Sequence, residues 1–171
     1  NKLWTTAKEW ATAADVEIYK KISEFNPFAD KSCSWFDSWW MFGVKDGFDI
    51  VIGNPPYVQL QKDGGKLAKI YQAFNYKTFQ RTGDIYSLFY EKGIDVLKKN
   101  GVLTFITSNS WMRTEYGEKT RHLLINNNPL LVITFEGNQV FDNAIVDSNI
   151  LIIQKNINKN NTKGAKIKEI Q

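Results

Sequence analysis

The stretch FDIVIGNPPY, residues 48–57, joins a short apolar run to an Asn-Pro-Pro-Tyr loop. The run from Phe48 to Gly53 is rich in β-branched side chains and predicts a buried parallel strand. Ligands of open α/β sheets bind beyond the carboxyl ends of strands. We therefore expect residues 54–57 to lie at a binding edge of an α/β sheet.

This loop is rich in hydrogen-bond acceptors. Pro55 and Pro56 lack an N–H and restrict the backbone, so their carbonyl groups meet no competing local donors. The amide oxygen of Asn54 and a prolyl carbonyl together form a two-acceptor cradle for an NH2 group, and Tyr57 adds a flat ring on which a planar substrate can stack. Methyl transfer to such a nitrogen is hampered by its delocalised lone pair, and two acceptors favour the pyramidal geometry of the transition state.

The rest of the chain alternates between strand and helix patterns. Apolar residues at spacings of three and four predict a first helix from Lys2 to Ser23. Asp84 precedes the next apolar periodic run and is interpreted as a helix N-cap. Further strands are predicted at 102–107, 130–135 and 148–154, a helix at 115–127, and mixed loop and helix at 63–81. This alternation is typical of an α/β fold.

Composition excludes several classes of protein. The chain has 171 residues, of which 43% are hydrophobic and 23% charged, as in a globular domain. No apolar run approaches the about 20 residues of a membrane-spanning helix, and the first ten residues do not resemble a secretion signal. A single cysteine, Cys33, allows no internal disulfide and no thiolate metal site, so we expect no metal and a cytoplasmic location.

The net charge of +4 is concentrated at the C-terminus. Residues 155–171 carry five lysines against Glu169, and the remainder of the chain holds equal numbers of acidic and basic side chains. A neutral body argues against binding nucleic acid by bulk charge alone, although local basic surfaces remain open.

Four segments together resemble one family. They are residues 36–43 (FDSWWMFG), 47–57, 83–93 (GDIYSLFYEKG) and 101–111 (GVLTFITSNSW). These segments resemble the adenine-specific (N6) DNA methyltransferases of restriction-modification systems, including Eco57I-like enzymes and the methylase region of type IIG restriction enzymes. The resemblance covers roughly residues 34–155. It implies the C-terminal half of a Rossmann-like S-adenosylmethionine-dependent methyltransferase fold, a mixed, mostly parallel sheet with a terminal antiparallel strand.

The same resemblance implies roles for individual residues. Asn54, Pro55, Pro56 and Tyr57 correspond to the catalytic tetrapeptide, in which Asn54 and Pro55 accept hydrogen bonds from the adenine N6 amino group and Tyr57 stacks on the base. Phe141 corresponds to a second aromatic wall, with a buried Phe before a strand as the alternative. The segment with Asp84 and Tyr86 corresponds to the cofactor side of the pocket, with an N-cap role for Asp84 as the alternative.

A flipped-out base implies a DNA-facing surface, because N6 in a stacked pair is out of reach of the methyl donor. Five cations follow the Asn-Pro-Pro-Tyr loop and are interleaved with aromatic residues, which suits contact with the DNA backbone, although a solvated helix face is an equal alternative. These cations are Lys62, Lys66, Lys69, Lys77 and Arg81.

Residues 1–47 lack the glycine-rich cofactor motif that the resemblance leads us to expect upstream. We therefore expect a helical and Trp-rich lead-in (1–47), the catalytic half of a methyltransferase domain (48–155) and a polar linker or tail (156–171). The strand at 48–53 is then expected to expose a sheet edge. S-adenosylmethionine, double-stranded DNA, the cofactor-motif half and a target-recognition domain are expected partners in a longer parent, and the isolated fragment is expected to be inactive.

Two other enzyme classes and one binding class stay open. The Asn-Pro-Pro-Tyr string also occurs in RNA methyltransferases and protein-glutamine N-methyltransferases, and a DNA-binding module with the same fold needs no catalysis. Cys33 is not preceded by Pro, which argues against a covalent cytosine-type mechanism. His122 lies beside Arg121 in a predicted helix and is interpreted as a surface residue.

Overall fold

The computed structural model describes residues 13–24, 26, 38–135, 137, 140–141 and 147–167, and the chain divides into two compact units, 1–45 and 46–171. In the first unit, helix α1 spans Ala13–Ser23 and helix α2 spans Ser38–Phe42. The helix predicted at 2–23 is confirmed from Ala13 onward. Its earlier part lies outside the described residues, as does Cys33.

The second unit is built on a five-stranded sheet with the spatial order β1-β2-β4-β3-β5. Its elements, in chain order, are β1 (Phe48–Gly53), α3 (Lys62–Gln72), α4 (Tyr86–Asp95), β2 (Leu97–Ser108), two 3-10 turns (Asn109–Met112 and Glu115–Gly117), α5 (Glu118–Ile125), β3 (Asn128–Thr134), β4 (Ser148–Gln154) and β5 (Lys163–Lys166). The four predicted strands and the helix predicted at 115–127 are confirmed, with shifted boundaries.

The sheet is mixed. β1 runs parallel to β2, β4 runs antiparallel to both β2 and β3, and β3 runs parallel to β5. The predicted fold class is therefore confirmed. The antiparallel strand β4 is the last of the four predicted strands along the chain, yet it lies inside the sheet between β2 and β3.

One face of the sheet carries the main core. Val51, Leu103 and Ile153 lie in register across β1, β2 and β4, and Leu103 and Ile153 are fully buried. Helix α4 packs closely on this face, because a Cβ at Gly93 would lie 2.4 Å from Leu103 Cδ1. A glycine inside a helix costs stability on propensity alone, so its presence in α4 is explained by this close approach. The buried residues of this core are Tyr86, Tyr90, Ile94, Leu97, Leu103, Phe105, Trp111, Leu124, Leu151 and Ile153.

The opposite face of β1 is exposed. Ile50 and Ile52 have 67% and 79% of their surface accessible, so the prediction of a buried strand is wrong for these side chains. Ile50 and Ile52 alternate with Val51 along β1, so they point away from the face that carries the main core. An edge with exposed apolar residues matches the expectation for this strand and is a surface that proteins normally cover.

Helix α3 begins irregularly. Asp63, Gly64 and Gly65 have positive φ angles of 52°, 69° and 75°, so the regular helix follows Gly65. Its inner face packs in a second, smaller core formed by Leu60, Ala68, Ile85 and Leu88. The prediction of mixed loop and helix for this region is confirmed.

The C-terminal tract contains a strand that its composition did not predict. β5 pairs in parallel with β3 over Leu131 to Thr134, and all four of its residues are exposed. Backbone pairing therefore orders part of the predicted linker without adding buried side chains. The assignment of 156–171 as a separate linker stays a prediction.

Gly117 is a position where a side chain is excluded. A Cβ there would lie 2.1 Å from the backbone carbonyl oxygen of Trp111, which a rotamer change cannot relieve. We expect Gly117→Ala to destabilise the chain by about 2 kcal/mol or more through overpacking, which lowers the Tm by several degrees in thermal unfolding. Gly164→Ala is the matched control, because nothing lies within 4 Å of its Cβ position. Equal Tm values for the two variants would contradict the described packing.

Candidate active site

The sheet directions bring four strand ends to one edge. β1 and β2 are parallel and end at Gly53 and Ser108, and β4 begins at that edge because Ser108 pairs with Ser148. β3 ends there as well, since Thr134 pairs with Asn149. The residues that follow β1 therefore lie at the carboxyl edge, where ligands of α/β sheets bind.

The Asn-Pro-Pro-Tyr loop leaves β1 at this edge. Asn54 and Pro56 are exposed, Pro55 is buried and Tyr57 is half-buried. The polar end of Asn54 is thus accessible to a ligand, while Pro55 is held by its surroundings. This combination of a fixed backbone and an accessible amide is what a preformed pair of acceptors requires.

Tyr57 stands between the loop and the main core. Its ring makes an edge contact with Tyr86, with ring centroids 6.4 Å apart and an interplanar angle of 88°. Burial raises the pKa of the Tyr57 hydroxyl, and the nearby Ser148 side chain acts more weakly in the opposite direction. The hydroxyl therefore stays protonated, and the exposed part of the residue is available as an uncharged aromatic surface.

Phe141 lies next to Tyr57, as its predicted role requires. The two ring centroids are 6.2 Å apart with an interplanar angle of 68°. Two rings that sandwich a base must be parallel and about 7 Å apart, twice the usual stacking distance. The observed arrangement is instead a direct edge contact, so a base stacked between the two rings requires one of them to turn.

The chain after Tyr57 is tied to the start of α4. Gln59 forms an isolated bridge with Asp84, the Leu60 N–H donates to the Gly83 carbonyl at 2.9 Å, and the Ile85 N–H donates to the Val58 carbonyl at 2.9 Å. These bonds bring the segment with the predicted cofactor residues against the chain that follows the Asn-Pro-Pro-Tyr loop, although the two are separated by some 25 residues of sequence.

Asp84 does not cap α4. Ile85 occupies the N-cap position, no side chain caps the helix, and Asp84 instead accepts a hydrogen bond of 3.0 Å from the Tyr116 hydroxyl. The N-cap interpretation is therefore wrong. Asp84 is 8% exposed and Tyr86 is fully buried. Burial raises the pKa of Tyr86, and the neighbouring Asp84 carboxylate and Tyr116 raise it further.

A buried polar network beneath Tyr57 was missed by the sequence reasoning. Thr107 donates to Asn149 Oδ1 at 3.2 Å, so the Tyr90 hydroxyl, 2.9 Å away, donates to Thr107. Trp111 Nε1 also donates to Asn149 Oδ1 at 3.2 Å. The network links α4, β2, the first 3-10 turn and β4 under the aromatic cluster. The available signal was the occurrence of Thr107 and Trp111 in one of the segments that resemble the family, and it assigned them no role.

All five cations of the predicted DNA surface are exposed. Lys66 and Lys69 lie on one face of α3 together with Ile70, which is 54% exposed, followed by Phe74 at 64%. Lys62 is separated from this face by the three left-handed residues. The guanidinium of Arg81 lies 3.9 Å from the Cβ position of Gly65, so Arg81 approaches the start of the regular helix.

The described residues show no other candidate chemistry. They contain no group of three or more His, Cys, Asp and Glu side chains that could hold a metal ion, and no helix long and apolar enough to cross a membrane. His122 is exposed and lies 3.8 Å from Glu118 on the next turn of α5, as expected for a surface residue.

Comparison with known structures shows the same fold elsewhere. A modification subunit of a putative type I restriction enzyme from Vibrio vulnificus YJ016 superimposes with a TM-score of 0.56 at 18% identity, over 74% of this chain and 26% of the other. At this identity the likeness concerns the fold alone.

Two curated relatives connect the sequence to named enzymes. The type II restriction enzyme and methyltransferase RM.Eco57I of Escherichia coli is 32% identical over 111 residues, 63% of this chain. The adenine-specific methyltransferase BrxX of Escherichia coli O9:H4 (strain HS) is 23% identical over 150 residues, 85% of this chain. The chain spans 11% of the length of each of these relatives.

The family comparison covers most of the chain, including the Asn-Pro-Pro-Tyr loop and Phe141. Residues 2–141 match the Eco57I restriction-modification methylase family. This span is more than half of the chain and includes Asn54, Tyr57, Tyr86 and Phe141 of the site. The chain belongs to the Eco57I restriction-modification methylase family.

Proposed function

We propose that the protein containing this chain transfers a methyl group from S-adenosylmethionine to the N6 amino group of adenine in DNA, as part of a restriction-modification or phage-defence enzyme. The observation that carries the proposal is the loop from Asn54 to Tyr57 at the carboxyl end of β1, with an accessible amide and a half-buried ring. Membership of the Eco57I methylase family supports it.

Asn54 and Pro55 act on the target amino group. The Asn54 amide oxygen and the Pro55 carbonyl each accept one N–H bond from N6, which favours the pyramidal nitrogen of the transition state over the planar ground state. Because the backbone of Pro55 is held in place, this stabilisation needs little reorganisation. No base is needed beforehand, since the N–H becomes acidic only once the methyl group is attached.

Tyr57 and Phe141 hold the base after it leaves the duplex. A flipped base is bound by stacking on aromatic side chains, and Tyr57 offers such a ring beside the acceptors. Phe141 is the second wall once the edge contact between the rings opens. The choice of adenine is supported by the name of BrxX, an adenine-specific methyltransferase.

S-adenosylmethionine would supply the methyl group. The described residues do not form a complete site for it, because Tyr86 is fully buried and Asp84 is hydrogen-bonded to Tyr116. Neither presents an open surface to a ligand. The chain therefore supplies the residues that bind the target amino group. We propose that the cofactor-motif half of the parent binds S-adenosylmethionine.

The DNA surface is proposed to include α3 and the segment after it. Lys66, Lys69, Lys77 and Arg81 project into solvent from the part of the chain that follows Tyr57, and each can neutralise a phosphate. Ile70 and Phe74 lie among them as exposed apolar groups. This mixture of cationic and apolar side chains favours nucleic-acid binding over the alternative of a helix face that contacts only solvent.

Removing the Asn54 amide tests the catalytic role. In the full-length parent, we expect Asn54→Ala to lower the rate of DNA methylation at least about a hundredfold, as when one transition-state hydrogen bond is removed, with cofactor affinity unchanged. The measurement is transfer of labelled methyl groups to DNA, alongside calorimetric binding of S-adenosylmethionine. Asn126→Ala, at an exposed position after the last turn of α5, is the control. Full methylation activity of Asn54→Ala would contradict the catalytic role of Asn54.

Neutralising two lysines tests the DNA surface. In the isolated chain, we expect Lys66→Gln with Lys69→Gln to reduce the slope of log K against log salt for a DNA duplex by about 2, since each lysine that neutralises a phosphate contributes about one unit. Lys159→Gln with Lys163→Gln removes the same charge from the C-terminal tract and is the control. A larger effect of the control pair would move the DNA-binding surface to that tract.

Cofactor binding by the isolated chain is a separate test. We expect no thermal shift of this chain in the presence of S-adenosylmethionine, because ligand stabilisation requires a formed site. A clear shift at micromolar ligand would show that residues of this chain complete the cofactor site after all.

A further inference from the structure

Glu91 is a buried carboxylate that binds backbone amides from a distant segment. It lies on α4 and is 7% exposed. Its Oε1 accepts from the Lys77 N–H at 3.0 Å, and its Oε2 accepts from the Thr78 N–H at 2.8 Å. The Thr78 hydroxyl lies 2.8 Å from the same Oε2 and 3.0 Å from the Ser87 carbonyl oxygen.

These contacts explain how the charge is tolerated. A buried carboxylate is costly unless it is hydrogen-bonded, and charge-assisted bonds to N–H groups are among the stronger ones. No described Lys or Arg forms an ion pair with Glu91. The carboxylate is therefore compensated by the backbone of residues 77–78, which makes the conformation of that backbone dependent on Glu91.

The segment held in this way is otherwise irregular. Residues 73–82 form neither helix nor strand, and Thr78, at 1% exposure, is their buried anchor. Lys77 and Arg81, on either side of Thr78, are exposed. Two residues after Arg81, the Gly83 carbonyl accepts the Leu60 N–H, so the segment leads directly to the chain that follows Tyr57.

We propose that Glu91 is a positioning residue for DNA binding. Its carboxylate holds the backbone of residues 77–78, which positions Lys77 and Arg81 to contact DNA phosphates beside the catalytic loop. The choice of DNA rests on the proposed function. A segment that is already ordered loses little conformational entropy when it binds DNA. Glu91 therefore raises the affinity for DNA without contacting it.

Glu91→Gln tests this directly. The amide keeps the shape but replaces one acceptor by an NH2 donor, which then faces a backbone N–H. We expect trypsin to cut after Lys77 and Arg81 about tenfold faster, as for a locally opened segment, with the rates after Lys99 and Arg113 unchanged. The affinity for a short DNA duplex should fall about threefold to tenfold, from the ordering that binding must now supply. Glu118→Gln, whose side chain is 62% exposed, is the control for the removed charge.

The outcomes separate the two proposals. Unchanged cleavage after Lys77 and Arg81 would overturn the anchoring role, and faster cleavage with unchanged DNA affinity would reduce Glu91 to a structural residue. If the wild-type chain binds no DNA, the proposed DNA surface fails, and the cleavage rates still decide whether Glu91 holds the segment. If Glu91→Gln does not fold, Thr78→Val can be used instead, since it replaces the hydroxyl by a methyl group and keeps the backbone N–H. We expect it to speed cleavage after Lys77 and Arg81 more weakly.

Discussion

Parallel pairing of β1 with β2 is the constraint on which the site depends. It places the end of β1 beside the end of β2, and the antiparallel insertion of β4 brings Ser148 and Asn149 to the same edge. The loop that carries Tyr57 and Ser148 at the start of β4 thereby come together, although they are far apart in sequence. A loop of Asn-Pro-Pro-Tyr elsewhere on the surface would have the same acceptors but none of this support.

The support is mostly aromatic and polar together. Tyr57, Tyr86, Tyr90 and Phe105 are linked through successive ring contacts from the loop into the core. Tyr90 also belongs to a hydrogen-bond network, whose other members are Thr107, Asn149 and Trp111. Buried hydrogen bonds fix the orientation of their partners more strictly than apolar packing does, so Tyr90 is held by both kinds of contact, and Tyr57 is linked to it by ring contacts through Tyr86.

Hydrogen bonds at both ends hold the chain that follows the loop. The bonds of Gln59, Leu60 and Val58 to residues 83–85 fix its beginning, and the Glu91 carboxylate fixes residues 77–78. Both sets of bonds lie at or on α4, whose close approach to β2 requires Gly93. Helix α4 therefore serves the sheet core on one side and the proposed DNA surface on the other.

Local patterns predicted the four main strands, the α/β class and the loop at a strand end, because hydrophobic periodicity and turn-forming residues depend on neighbouring positions in the sequence. Contacts between distant residues could not be predicted in this way. Asp84 looks like a helix cap until the Tyr116 hydroxyl is seen to bind it, and β5 has a polar composition but gains backbone pairing with β3. Exposure of Ile50 and Ile52 follows from which face of β1 the distant residues of the main core cover.

The central claim is that the site built on Asn54 and Tyr57 acts on the N6 amino group of adenine. The most direct test is chromatography of nucleosides released from DNA that the full-length parent has methylated. We expect N6-methyldeoxyadenosine as the modified product. N4-methyldeoxycytidine would contradict the choice of base, and 5-methyldeoxycytidine or unmodified DNA would contradict the amino-transfer chemistry itself.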